Sequence, residues 1–371
     1  MSSPSPNRVI VGLSGGVDSA VAALLLQEAG WEVQGLFMSN WDEDDTSYCT
    51  AAQDYQDARA VGRELGIPVH RVSFAAEYRA RVFAHFLAEQ RAGRTGNPDV
   101  LCNREIKFGA AFAYARRLGA AWFSTGHYAR LVRTDAGVEL HKGADAAKDQ
   151  SYFLHAVARE QLARTLMPLG EIDKGAVRER ARRAGLPVFD KPDSTGICFI
   201  GERPFREFLS RFLPASPGPI ETPERVQLGT HHGLAFYTLG QREGLSIGGR
   251  RGFAQAPWFV AVKDSARNAL IVVQDHDHPL LLSTELVTAP LHWLSKARTE
   301  PFRCQVKVRY RQADQSARVE LMPDGSAQIV FDAPQRAVTP GQYAVLYEAD
   351  QCIGGAGIQS VVPRGQLSAA A

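Results

Sequence analysis

Two rhythms of hydrophobic and polar positions divide the 371-residue chain. In the first third, short apolar runs alternate with helix-length segments. Arg8-Val9-Ile10-Val11-Gly12-Leu13 reads as a short buried strand, and 17–29 as an apolar helix stopped by Gly30. The alternation continues with a strand at 32–38, a helix over 50–65, a strand at 68–74 and a helix over 76–90. A helix over 103–118 and a strand at 121–125 complete the series. Strands separated by helix-length connections predict an α/β fold with a doubly wound parallel sheet.

The texture changes at Pro214-Ala215-Ser216-Pro217-Gly218-Pro219, a stretch that continues neither a helix nor a central strand. Beyond it, Leu239-Gly240-Gln241, Ile247-Gly248-Gly249 and Gly354-Gly355-Ala356-Gly357 read as glycine turns. Period-two runs at 258–262, 270–273, 303–310, 318–321, 328–331 and 343–347 predict short strands. The division expected is 1–213 for the α/β domain, 214–284 for a small β-rich middle domain and 285–371 for a C-terminal β-barrel.

Composition narrows the class. Hydrophobic residues make up 45% and charged ones 22%, the balance of a folded soluble protein. No apolar run reaches bilayer length, and the polar start Met1–Asn7 has no signal-peptide core, so a cytoplasmic location without membrane contact is expected. A net charge of +2 does not announce a nucleic-acid partner; any such contact must come from local patches. Cys49, Cys102, Cys198, Cys304 and Cys352 are too few and scattered for a disulfide scaffold, and none forms a C-x-x-C pair, so neither a zinc site nor thioredoxin-like chemistry is expected, and no metal is held by protein ligands alone.

Ser14-Gly15-Gly16-Val17-Asp18-Ser19 falls between the first strand and the first helix. Its glycines let the backbone bend around phosphate oxygens, and the helix start offers unpaired N–H groups and the positive end of the dipole. Ser14 and Ser19 add hydroxyl donors. Asp18 would repel bare phosphate, so its carboxylate is assigned to a magnesium ion bridging the anion. The Gly-Lys-Ser/Thr ending of a Walker loop is missing, so γ-phosphate transfer is not the first expectation. The string resembles the pyrophosphatase loop of enzymes that split ATP into AMP and pyrophosphate.

Two cysteines stand in suggestive places. The segment 94–103 leads into a predicted helix, placing Cys102 near a helix start, where the dipole lowers a thiol pKa. Asp99 brings a candidate acid or base to the same region. Asp193-Ser194-Thr195-Gly196-Ile197-Cys198-Phe199-Ile200-Gly201 puts Cys198 on a loop. Read singly, each cysteine is equally a small buried hydrophobe. Together with an adenylate-forming loop, they fit sulfur transfer, one thiol carrying a persulfide and the other closing a disulfide as sulfur leaves. Cys49, Cys304 and Cys352 are assigned structural roles. In 307–311, alternation would put Lys307, Arg309 and Arg311 on one strand face, either a phosphate-contacting stripe or a solvated one.

These motifs, with Ser124-Thr125-Gly126-His127-Tyr128, Lys148-Asp149-Gln150-Ser151-Tyr152-Phe153-Leu154, Thr238-Leu239-Gly240-Gln241-Arg242 and Thr339-Pro340-Gly341-Gln342, resemble the bacterial tRNA-specific 2-thiouridylase family over about residues 8–362. The resemblance implies that Gly12, Leu13, Ser14, Gly15, Gly16, Val17, Asp18, Ser19, Met38 and Gly126 bind ATP with its magnesium. It implies that Asn97, Pro98 and Asp99 meet the target base. Cys102 would be the nucleophile, Cys198 the persulfide carrier, and the two would form an alternate disulfide. His127, Lys148, Asp149, Gln150, Arg309, Tyr310 and Gln342 would contact tRNA. The partners implied are the anticodon loops of tRNAs for lysine, glutamate and glutamine, and a persulfide donor, either a cysteine desulfurase or a relay protein. One departure is Gly96, where the family usually places a proline; it predicts a looser loop. Two rival readings are an ATP-dependent ligase acting on a small metabolite and a nucleotide-gated tRNA-binding module without catalysis. Both leave the paired cysteine motifs unexplained.

Overall fold

The computed structural model describes residues 5–41, 51–193, 205–249 and 252–365. Four strands are followed by helices or loops in the predicted alternation: β1 (Ser5–Gly12), β2 (Glu32–Ser39), β3 (Val69–Ser73) and β4 (Ala120–Ser124). A hairpin, β5 (Ala129–Thr134) and β6 (Gly137–Lys142), comes next, and then the two-residue β7 (Thr165–Leu166). The sheet order is β3-β2-β1-β4-β7, all parallel. Val9, Ile10 and Val11 of the central strand are fully buried because both faces of the sheet are covered.

The covering helices follow from their residues. Helix α1 (Val17–Glu28) is apolar nearly all round and rich in alanine, which suits an element packed between the sheet and a second helix. Helix α2 (Ala51–Glu64) is amphipathic. On the opposite face lie α3 (75–91), built from Ala75–Tyr78, Arg79–Phe83 and Ala84–Arg91, and α4 (98–117), built from Pro98–Leu101, Cys102–Ala111 and Phe112–Arg117. The middle section of each is widened to π-helical pitch. A Cβ on Gly109 would sit 2.9 Å from the Arg104 carbonyl, so the widened turn of α4 needs glycine there. Helix α5 (Lys174–Arg183) sends Val177 and Ala181 into the core beside α1.

Helix α4 begins earlier than the hydrophobic pattern predicts. Asn97 Oδ1 accepts from the N–H groups of Asp99 and Val100, and Pro98 stands where its missing N–H costs nothing. Cys102 is therefore the fifth residue of the helix, past the first turn where the dipole acts, and the helix-start argument for a lowered thiol pKa falls.

The predicted β-rich half is present. Strands β8 (Gly218–Glu221), β9 (Gln227–His231), β10 (Phe259–Asp264) and β11 (Ala269–Val273) form a sheet of order β10-β11-β8-β9. Alternation found β10 and β11 but not β8 or β9. The third sheet contains β12 (Leu282–Thr288), β13 (His292–Trp293), β14 (Phe302–Lys307), β15 (Gln315–Leu321), β16 (Ala327–Arg336), β17 (Tyr343–Glu348) and β18 (Gln351–Pro363). Pairing runs β12-β16-β15-β14-β17-β18, and β18 returns to β12, which closes a barrel around Leu286, Val306, Val319, Ile329 and Leu346.

Two expectations fail here. Gly354-Gly355-Ala356-Gly357 is not a turn but lies within β18. Gly354 has φ +147°, and a Cβ there would run into the His292 carbonyl, so close strand approach is the reason for the glycine. Strand β14 ends at Lys307, and Arg309 and Arg311 lie in the turn that follows, so the three cations do not share a strand face. An unforeseen join also appears. The β5–β6 hairpin pairs with β18 through His141 and Leu140 opposite Gln351 and Cys352, stitching the first sheet region to the barrel.

Candidate active site

Strand β1 has β2 on one side and β4 on the other, so the chain reverses its winding between β1 and β4. In such sheets the crevice at the carboxyl ends of those strands is the binding position. Both loops leaving it carry the predicted motifs. Gly15 has φ +78°, and a Cβ on it would run into the Asp54 carbonyl. Gly16, at the N-cap of α1, has no side chain to bond the first helix N–H groups, which leaves the helix start open to an anion. The Ser14 and Ser19 hydroxyls lie 3.2 Å apart, and Ser19 Oγ also takes the Ser14 N–H at 3.1 Å, so the two serines brace the loop. After β4, a Cβ on Gly126 would stand 2.7 Å from Ser19 N; the second loop crosses directly over the helix start. Met38 is buried at the end of β2, its methyl 3.3 Å from where a Gly12 Cβ would lie.

A charge network surrounds this loop. Asp18 Oδ1 accepts from Tyr128 Oη at 2.7 Å and from Lys174 Nζ at 2.6 Å. Lys174 also meets Asp193 Oδ1 at 2.7 Å, and Asp193 takes Lys148 at 2.6 Å and Arg178 at 3.1 Å. Burial pushes the Asp193 carboxyl up, but the ammonium groups of Lys148 and Lys174 outweigh it and hold the pKa down at about 2. Burial, and then the Asp18 charge, push the Tyr128 phenol up, so it stays a donor. Lys191 donates to the Gly15 carbonyl at 3.0 Å and to Asp54 at 2.7 Å, which ties the loop to α2.

Other expected site residues occupy several distinct settings. Asp149 is buried, accepting from the N–H groups of Gly143 and Ser151 and from the Ser151 hydroxyl, which builds the turn. Gln150 Oε1 accepts the Tyr128 N–H at 3.0 Å. His127 is buried, its Nδ1 2.7 Å from Thr125 Oγ1, and burial, with Lys107 nearby, pushes its pKa well down, so the ring is neutral. Arg309 donates to the carbonyls of Leu239 and Ala337 and to Thr339 Oγ1, bracing the middle sheet against the barrel. Tyr310 packs on Phe153 with ring centroids 4.4 Å apart.

Gln342 and Asn97 meet across 245 positions of sequence. Gln342 Nε2 donates to Thr95 O at 2.8 Å, and its Oε1 accepts from Asn97 Nδ2 at 3.3 Å. Thr95 N–H adds a bond to Pro340 O at 2.9 Å. The Gly96 loop is thus pinned to the barrel rather than loose, and the expected looseness is corrected. Cys102 is fully buried in the core that packs α3 and α4 against the sheet. Cys198 lies outside the described residues, as do Cys49 and the 194–204 segment, and with them any pairing of Cys102 and Cys198. Cys304 and Cys352 are buried in barrel strands, where burial raises both thiols to about 12.

Sequence reasoning missed Lys174, Lys191 and Arg178, and gave no role to Tyr128 or Asp193. The last two stood inside recognised motifs. Lys174, a lone lysine at the start of a polar helix, carried no signal of its own.

Family models match three successive stretches: a "tRNA methyl transferase HUP domain" at 7–202, a "tRNA methyl transferase PRC-barrel domain" at 206–274 and an "Aminomethyltransferase beta-barrel domain" at 283–358. The tRNA-specific 2-thiouridylase MnmA of Marinobacter nauticus is 55% identical over 362 residues, covering 96% of this chain and 92% of that one. The Methylococcus capsulatus protein of the same name is 56% identical over 352 residues, 94% and 95% of the two chains. The Chromohalobacter salexigens one is 56% identical over 368 residues, 98% and 96%. The domain models' methyl-transfer labels and the relatives' thiolation names differ; identity above half over nearly the whole length favours the relatives. By that similarity the chain belongs to the tRNA-specific 2-thiouridylase family.

Proposed function

We infer that the chain is a tRNA-uridine 2-sulfurtransferase, which replaces the C2 oxygen of a tRNA uridine with sulfur. ATP is the activating substrate. The observation that carries this part is the uncapped start of α1 behind the Ser14–Ser19 loop, at the crevice where the sheet reverses its winding. The fit is chemical as well as spatial: Gly15 and Gly126 stand where side chains would collide with backbone, leaving helix N–H groups bare to a phosphate.

The C2 oxygen is a poor leaving group. Its attack on the α-phosphate makes an adenylate and expels pyrophosphate, while the loop N–H groups offset charge on the phosphate oxygens. Magnesium would enter with the triphosphate, and Asp18 would be the carboxylate that meets it. Among the described residues no group of three metal-ligating side chains forms a cage. A single carboxylate plus substrate phosphates is a usual magnesium arrangement. A wobble uridine in an anticodon loop is splayed out at modest cost, and Asn97, Pro98 and Asp99 are assigned to receive it. His127, Lys148, Asp149, Gln150, Arg309, Tyr310 and Gln342 are assigned to the tRNA side, with the buried ones among them acting through the turns they hold.

Sulfur comes from a Cys198 persulfide loaded by a desulfurase or a relay protein. Either Cys102 attacks that persulfide, closing a Cys102–Cys198 disulfide and releasing sulfide that displaces AMP from C2, or the terminal persulfide sulfur attacks C2 directly, AMP leaves, and Cys102 then breaks the S–S bond to close the same disulfide. Cys102 is fully buried, so its thiol does not face bulk water. Full multi-turnover thiolation by Cys198→Ser would sink both routes.

The deciding experiment is pyrophosphate release from labelled ATP on adding unmodified tRNA, with wild type set against Asp18→Ala. Release that needs both tRNA and Asp18 is expected. ATP cleavage indifferent to tRNA would move the search to small-molecule ligase substrates.

A further inference from the structure

A cavity of about 480 Å³ lies where α3 and α4 meet the barrel, and the reaction as described makes no use of it. Its lining includes Glu89 of α3, Leu101 and Arg104 of α4, His155, and Tyr343 of β17. Along the chain it adjoins the target loop: Leu101 precedes Cys102, and Gly341 and Tyr343 flank the Gln342 that holds Asn97.

His155 makes this a built site. The residue is 1% exposed, and its Nδ1 lies 2.7 Å from the Tyr152 carbonyl, which can only accept. Nδ1 therefore carries the proton. Burial pushes the pKa down to about 4, so the ring is neutral and keeps a lone pair on Nε2. Nε2 has no hydrogen-bond partner among the described residues, although the ring lines the cavity. A Cβ on Gly355 would stand 2.7 Å from the Ala344 carbonyl and 2.8 Å from His155 Cδ2, so the ring sits in space that only glycine leaves.

Charge does not select the ligand. Arg94 pairs with Glu89 and Arg104 with Glu105, and His292 Nε2 is turned to the Val157 carbonyl at 3.2 Å. His85 stands exposed at the rim. With carboxylates and guanidinium groups matched, an anion meets no surplus. The cavity offers instead one buried acceptor, His155 Nε2, and two donors. These are the Tyr343 hydroxyl, whose ring lies 4.9 Å from that of His155, and the Arg104 N–H groups that Glu105 leaves unused. Such a set matches a ring N–H beside a carbonyl, the edge that uracil and guanine present and that cytosine and adenine lack.

We propose that this cavity receives a second nucleobase of the substrate tRNA, a uracil or guanine from the same loop as the target. Its ring N–H donates to His155 Nε2, and its carbonyl accepts from Tyr343 and Arg104. Unstacked bases of single-stranded loops are what proteins read in an RNA, and a base held here fixes where the neighbouring target base falls. His155 is thus a specificity and positioning residue.

This assignment rests on the tRNA reading above, and its test separates the two. Equilibrium binding of unmodified tRNA transcripts to the full chain compares wild type, H155N and Y343F, with a melting curve as the folding check. H155N keeps an N–H for the Tyr152 carbonyl and removes Nε2; Y343F keeps the ring and removes the hydroxyl. Each should weaken tRNA binding about tenfold, the scale of one desolvated hydrogen bond, with ATP affinity unchanged. Transcripts with one loop uridine or guanosine other than the target made abasic complete the cycle. At one position the loss should cost wild type about tenfold and H155N nothing further. Cytidine for uridine, or adenosine for guanosine, should act there like the abasic change. Y343F alone runs the cycle if H155N is unfolded. Additive losses at every position would reduce the side chains to braces of the fold, and unchanged tRNA binding in both variants would give them no part. Free uridine or guanosine binding wild type but not H155N, with no coupled loop position, would place a free nucleoside there. Each of these results overturns the proposal. Wild type without affinity for tRNA would overturn the tRNA reading itself, and the assignment with it.

Discussion

The side-chain amide of Gln342 commits its nitrogen to the carbonyl of Thr95 and its oxygen to Asn97, whose own oxygen caps α4. One side chain of the barrel thus sets the geometry of the loop before Asp99 and Cys102. Gln342→Ala should raise the KM for tRNA and lower tRNA-dependent pyrophosphate release by about tenfold, the scale of one or two lost hydrogen bonds. Nucleotide affinity should not change. Gln342→Glu should do worse than alanine, because a carboxylate would face the Thr95 carbonyl. Steady-state kinetics with tRNA varied, beside calorimetry with nucleotide alone, checks both. A rise in nucleotide dissociation constant matching the kinetic loss would show a general loosening instead.

Strands carry their own tests. In β18, Gly354→Ala forces a side chain onto the His292 carbonyl in a backbone region L-residues avoid, and should destabilise the fold by more than about 2 kcal/mol. Chemical denaturation measures it, and a change under half that size would mean that β13 yields easily. In β10, Lys263 Nζ is buried with no hydrogen-bond partner among the described residues, and burial lowers its pKa to about 8. An unfolded lysine titrates near 10.5, so the unfolded chain binds more protons between those values and stability rises as pH climbs from about 8 to about 10.5. Lys263→Met should abolish that rise and stabilise the protein at neutral pH by on the order of 2 kcal/mol. Melting curves across the range decide it; an unchanged slope refutes it.

At the scale of the molecule, two long-range braces hold the parts in register. Arg309 joins the middle sheet to the barrel, and the β5–β6 hairpin joins the nucleotide sheet region to β18. The Asp193 cluster is a third, binding the segment after β6 to α5 and the loop. Its carboxyl pKa is depressed to about 2 against 3.8 unfolded, so its contribution is fully present above about pH 4 and is lost as pH falls through about 2. Asp193→Asn should flatten the thermal midpoint over that acid interval. If wild type and variant lose stability in parallel from pH 4 to 2, the cluster does not couple to folding.

The sequence alone determined what depends on near neighbours. Apolar runs and helix-length spacers were enough for the parallel sheet, because burial on both faces imposes them locally. The Ser14–Ser19 string was legible for the same reason, whereas the Asn97-Pro98 cap, which starts a helix before Cys102, was missed. Tertiary structure alone decided which distant groups meet: Lys174 with Asp18 across 156 positions, and Asn97 with Gln342 across 245. It also decided why Gly354 is glycine, since a turn and a close strand crossing leave the same letter in a sequence. Periodicity reports the environment of a face, whereas pairing depends on how sheets and helices close in space. No local pattern encodes that closure.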